Sequence, residues 1–190
     1  MPKDRIDEIR EQWARELSEL DTWPVEVVGR TGRVARYLDI GMENLFKQHG
    51  LSRASWDVLT ALRRAGSPFR LSPTELYRAV LRSSGAMTRR IDYLEHAGLV
   101  TRVADTEDRR GVMVELTSDG QVLVDDLAEA HLNNERSLIS SLTLEEQETL
   151  AMLLKKLLVN FERESPNPLP QQKHYRGRSC RQARRKKKNV

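Results

Sequence analysis

Apolar positions recur at helical spacing along most of this chain. Residues 3–19 are strongly charged, with Ile6, Ile9, Trp13 and Leu17 three and four positions apart, which predicts a helix with one narrow apolar stripe. Asp21-Thr22-Trp23-Pro24 reads as a break and a restart, with Pro24 suited to a first helical turn. A long helix then runs to about Gln48, with Val27, Val34, Leu38, Met42 and Leu45 on one face, and Gly50 caps its end. Residues 52–65 predict a shorter helix with Trp56, Leu59 and Leu62 on one side, closed by Gly66. Ser72-Pro73-Thr74-Glu75 is a capping box with proline at the first helical position, opening a brief helix to about Val80. Another helix opens at Ser83, carries Met87, Ile91 and Leu94 inward, and is capped by Gly98.

There the period changes from helical to alternating. Residues 99–103 and 112–116 are β-prone, and Val112, Val114 and Leu116 alternate with Met113 and Glu115. The polar run between them, closed by Gly111, makes a hairpin with a charged tip. Helix resumes at Thr117, with Leu123, Leu127, Ala130 and Leu138 on one face. Thr143-Leu144-Glu145-Glu146 launches a last helix with Leu150, Leu153, Leu154, Leu157, Leu158 and Phe161. That stripe is too wide for one small domain to cover and predicts burial against a partner. A proline-rich break follows Glu164.

Charge divides the chain in two. Of 32 Lys and Arg residues, nine lie in residues 165–190, which hold no Asp or Glu. Residues 1–164 therefore hold 23 basic against 28 acidic residues, a net of −5, although the whole chain is +4. The basic balance belongs to the tail and says nothing about the folded body. The tail has two readings: a disordered arm adding sequence-independent affinity for phosphates, or a solvated terminus. No apolar run reaches the roughly 18 residues a membrane helix needs, and the N-terminus is too charged for a signal peptide. A cytoplasmic, nucleoid-associated protein is the expectation. One cysteine, Cys180, excludes a disulfide framework and a cysteine zinc site, and the four histidines lack metal-ligand spacing. No glycine-rich phosphate loop or nucleophilic triad appears, and no cofactor is implied.

Helix, turn, helix, then a charged hairpin is the order of a winged helix-turn-helix. Within residues 55–120, SWDVLTALRRAG, LSPTELYRAV and SSGAMTRRIDYLEHAGLVTRVADTEDRRGVMVELTSDG resemble the MarR family of bacterial repressors. The acidic turn, the pair Arg109-Arg110, the alternating strand and Thr-x-x-Gly are the most specific part, and the likeness extends over about residues 22–164. It implies a mainly α, two-fold homodimer with six to seven helices and a two-stranded wing. Residues 21–50 and 118–164 would form the dimerisation region, and residues 51–117 the DNA-binding domain. Residues 1–20 would form an added N-terminal helix, and 165–190 a basic tail.

In such a dimer the helix at 83–97 enters the major groove of a double-stranded operator. Ser83, Ser84, Thr88 and Arg89 lie off its buried stripe, where small hydroxyls and free N–H groups suit phosphate approach and arginine can reach a base edge. Arg109 and Arg110 at the hairpin tip suit the negative minor groove, with Asp108 orienting one of them.

The added helix resembles that of a subgroup responding to urate or to trans-aconitate and related tricarboxylates. That subgroup's ligand site of one Trp, one Asp and two Arg falls on Trp13, Asp57, Arg90 and Arg102, with Trp23 a second candidate for the Trp. Two guanidiniums can clamp a small organic anion, and an indole can stack on it. Asp57 would neutralise the arginines until the anion displaced it and pulled Arg90, the neighbour of Arg89. The residues alone equally admit a structural ion-pair network with Trp13 as ordinary core. Two other functions stay open beside the anion-released repressor: a ligand-independent regulator, and an enzyme using the same arginines on a small carboxylate, though only Asp57 could serve as its base.

Overall fold

The computed structural model describes residues 2–80, 87–105 and 111–164. Helices α1 (Arg5–Glu16), α2 (Trp23–Lys47), α3 (Arg53–Arg64), α4 (Pro73–Ala79), α5 (Met87–His96), α6 (Ser118–Leu138) and α7 (Leu144–Glu164) follow the helical periods of the sequence. Strands β1 (Arg70–Leu71), β2 (Val100–Ala104) and β3 (Val112–Leu116) form an antiparallel sheet in the order β1-β3-β2. The basic tail lies outside the described residues.

Local chemistry explains the helix starts. Asp4 accepts hydrogen bonds from the Ile6 and Asp7 N–H groups at 2.7 and 3.1 Å, and Asp7 answers with a bond from the Asp4 N–H at 2.8 Å. Ser72 and Glu75 close the same reciprocal box on α4, at 2.9 and 3.2 Å. Thr117 accepts from the Gly120 N–H and donates to the Gly98 carbonyl, so one hydroxyl caps α6 and ties it to the turn before β2. Gly50, Gly66 and Gly98 all adopt positive φ at the turns that end α2, α3 and α5.

The core sits in the winged domain and under its helical frame. Phe46, Val58, Leu59, Leu62, Leu76, Leu94, Val100 and Val114 are its most deeply buried side chains, joining α2 to α5 with the sheet. α6 adds Val124 and Leu127, and Gly120 lets its first turn press against the Leu99 carbonyl.

Three sequence expectations change. The sheet has a third strand, β1, pairing Arg70 with Glu115 and Leu71 with Val114. Two residues are too short to show alternation, and the strand follows Phe69, which takes a positive φ of 58°. The stripe of the first helix is covered only at its start: Ile6 is buried in the notch left by Gly29, but Trp13 is 45% exposed. The inner face expected for α2 is likewise closed at Met42 and open at Val27 and Val34.

The last helix matches its expectation of needing a cover. α7 has no buried residue, and Leu150 to Phe161 along its stripe are 42–64% exposed.

Candidate nucleic-acid interface and anion site

α4 is positioned by its capping box and by Leu76, which is fully buried against α3. α5 packs behind it through Ile91 and Leu94. Thr88 and Arg89 are exposed on α5 away from that stripe, as a DNA-reading face requires. Beside α5, β2 and β3 pair from Val100↔Leu116 to Ala104↔Val112, and the Asp105 N–H bonds to the Gly111 carbonyl at 3.0 Å. This is the wing. Ser83, Ser84, Asp108, Arg109 and Arg110 lie outside the described residues.

The four proposed anion-binding residues sit on four elements. Trp13 is on α1, which packs against α2. Asp57 is half-buried on α3, and Arg90 is half-buried on α5, which touches α3. Arg102 is on β2, and its guanidinium is occupied: it bonds Asp92 at 2.5 Å and also Glu95, while its backbone N–H donates to Glu95 at 3.0 Å. The bond to Asp92, with the nearby charge of Glu95, holds the Arg102 guanidinium above its ordinary range. Successive residues turn about 100° along a helix. Asp92 and Glu95 therefore share one flank of α5, while Arg90 shares the opposite flank with Tyr93. In the single chain Arg102 thus meets one flank of α5, while Arg90 projects from the other. A groove of about 400 Å³ does open between α2 and the start of α3, lined by Arg36, Asp39, Glu43, Lys47 and Arg53 among others. None of the four residues lines it.

Other contacts join the winged domain to the frame without a sequence signal. Arg63 of α3 makes a two-pronged ion pair with Asp125 of α6, at 2.8 and 3.1 Å, and lies 4.9 Å from the Phe69 ring centre. Phe46, Trp56 and His131 bring together α2, α3 and α6, with ring centres 5.0–5.5 Å apart. At the N-terminus, Arg30 of α2 bonds Asp4, the cap of α1, and Asp7 within it at 2.7 and 2.6 Å and also pairs with Glu26, which takes Arg10 as well. The added helix is thus latched by charge as much as by Ile6.

Comparison with known proteins agrees with this geometry. Residues 49–111 match the MarR family. The transcriptional regulator PecS of Dickeya dadantii is 35% identical over 158 residues, covering 82% of this chain and 95% of PecS. Among solved structures, a mutant MarR of Escherichia coli complexed with operator DNA superposes with a TM-score of 0.62 at 28% identity, covering 82% of this chain and 99% of that one. Bordetella bronchiseptica BpsR, whose DNA binding is regulated by 6-hydroxynicotinic acid, gives a TM-score of 0.62 at 26% identity, covering 70% and 94%.

Proposed function

The chain belongs to the MarR family of transcriptional regulators, and from that membership we propose a homodimeric, cytoplasmic repressor that releases its operator on binding a small organic anion. It is a DNA-binding regulator and not an enzyme. No described helix is long and apolar enough to cross a membrane.

One observation carries the DNA reading: α5 turns Thr88 and Arg89 outward beside the wing while Ile91 and Leu94 anchor it. The dimer reading is supported by the uncovered stripe of α7. Two such helix-turn-helix units related by a two-fold axis would read half-sites about one helical turn apart. The full chain should then select from a randomised DNA pool a pseudo-palindrome of roughly 16–20 bp. Arg89→Ala should weaken that duplex about tenfold, the scale of one good base or phosphate contact. Selection of no sequence, or of an asymmetric one, would go against the reading.

The anion is urate-like or a tricarboxylate such as trans-aconitate or citrate, held by Trp13, Asp57, Arg90 and Arg102. Support comes from the PecS relative and from BpsR, which answers to a planar organic acid. The present pairing of Arg102 adds one requirement: the anion must exchange with Asp92 and Glu95 for the guanidinium. A carboxylate-bearing ligand is suited to that exchange because it offers the same bonds.

A further inference from the structure

The direction in which Thr88 and Arg89 point depends on the angle of α5 against its domain. α5 spans ten described residues, and its deeply buried grip is Ile91 and Leu94 alone. Among the described residues, two contacts sit on the two flanks of that stripe and resist rotation about it. On one, the Tyr93 hydroxyl donates to the Gly50 carbonyl at 2.6 Å. On the other, Arg102 takes Asp92 and Glu95, which lie one helical turn apart. Three hydrogen bonds from a single residue thus span a full turn of the helix.

Arg102 is well placed to act as a fixed point. It pairs with Val114 in the sheet, and Val114 is fully buried. A planar guanidinium can bond two carboxylates at once in a set geometry, which an ammonium cannot. The charges involved are about one-third to one-half exposed, so the pairs add little to overall stability. Their effect is on angle.

We infer that Asp92, Glu95 and Arg102 are positioning residues: a strut from the wing that sets the angle of the recognition helix and so governs operator selectivity. The inference rests on the DNA-binding reading above. It also offers the anion a direct route to the DNA face, since capture of Arg102 removes the strut.

The test compares affinity for the duplex that the full chain selects with affinity for an unrelated duplex of equal length. The variants are Arg102→Ala, Arg102→Lys, Asp92→Asn with Glu95→Gln, and all three neutral substitutions together. The ratio of the two affinities should fall about 3- to 10-fold in both Arg102→Ala and the double carboxylate variant. Arg102→Lys should recover only part, and the triple variant should be no worse than Arg102→Ala. Misfolding is excluded separately, by requiring that each variant keep the wild-type helical content and cooperative melting before its ratio is read. A pure charge effect would act on both duplexes, and with opposite sign in the two variants. An unchanged ratio, or changes of opposite sign, overturns the strut. Amide exchange over residues 87–96 gives a reading without DNA, and should quicken in both variants. If the wild-type chain prefers no duplex, the DNA reading fails and the selectivity role fails with it; amide exchange then decides only whether the strut holds α5, unaltered exchange refuting it and faster exchange upholding it.

Discussion

Leu154→Glu together with Leu157→Glu should yield a monomer that no longer holds operator DNA. Both leucines lie on one side of α7, both are 45% exposed, and α7 buries nothing in the single chain. A partner that covers them gains about 1 kcal/mol or more from each side chain. A two-fold interface counts each substitution twice, so the pair removes on the order of 4 kcal/mol, about a thousandfold in dimer dissociation. Burying four carboxylates would add further cost. The domain core is formed without α7, so each protomer should remain folded. Operator affinity should fall with the dimer, since a lone protomer engages one half-site and loses the benefit of the linked second. Sedimentation and DNA binding measured on the same sample check this. A variant that stays dimeric and binds operator normally would place the interface elsewhere.

Gly120→Ala should destabilise the chain severely, against the trend for helices. By propensity alone, alanine in a helix interior gains about 1 kcal/mol over glycine. At Gly120 the added Cβ would lie 2.1 Å from the Leu99 carbonyl oxygen and 2.8 Å from a Leu116 methyl. The first of these is backbone, held by the Thr117 N–H bond to the same Leu99 carbonyl, so it cannot turn aside as a side chain would. Overpacking costs about 1–3 kcal/mol, with the upper end expected where backbone must yield, which outweighs the propensity gain. A melting temperature lowered by roughly 4–8 °C is expected for a net loss of about 2 kcal/mol. A raised one would mean that the α6–wing junction yields more easily than its contacts indicate. The same change at Gly32, which has nothing within 4 Å of its Cβ, should be neutral or slightly stabilising and serves as the control.

These two positions also mark what the sequence makes legible. The close approach of the first turn of α6 to the Leu99 carbonyl is known only from the fold, whereas the Thr-x-x-Gly step announced the start of that helix. The same holds for the Ser72 capping box, for the three glycine-ended helices and for the alternation in β3, where each element is written within a few neighbouring residues. The wide leucine stripe of α7 likewise declared a need for cover. Contacts between distant segments were not written that way. Arg63 and Asp125 stand 62 positions apart, and nothing in either neighbourhood names the other. The partners of Arg102 were equally silent. Asp92 and Glu95 read as surface charges of a helix until the fold brings β2 alongside them. The strand β1 was missed because two residues carry no period, and because a phenylalanine at positive φ precedes them. For the anion site, the sequence supplied residue types and the fold supplied the elements that carry them. Arg102 meets one flank of α5, Arg90 projects from the other, and Trp13 rides on a separate helix latched to α2. The side of α5 on which each arginine lies is set by the fold, which no list of residues could reveal.

The claim that an anion governs operator release is tested most directly by titrating urate, trans-aconitate and citrate into the full chain bound to its selected duplex, with Trp13→Ala alongside. At least one of these anions should dissociate the wild-type complex, and Trp13→Ala should bind the duplex equally well but need about 3- to 10-fold more of that anion, the scale of one lost stacking contact. A wild-type complex indifferent to all three anions would contradict the account.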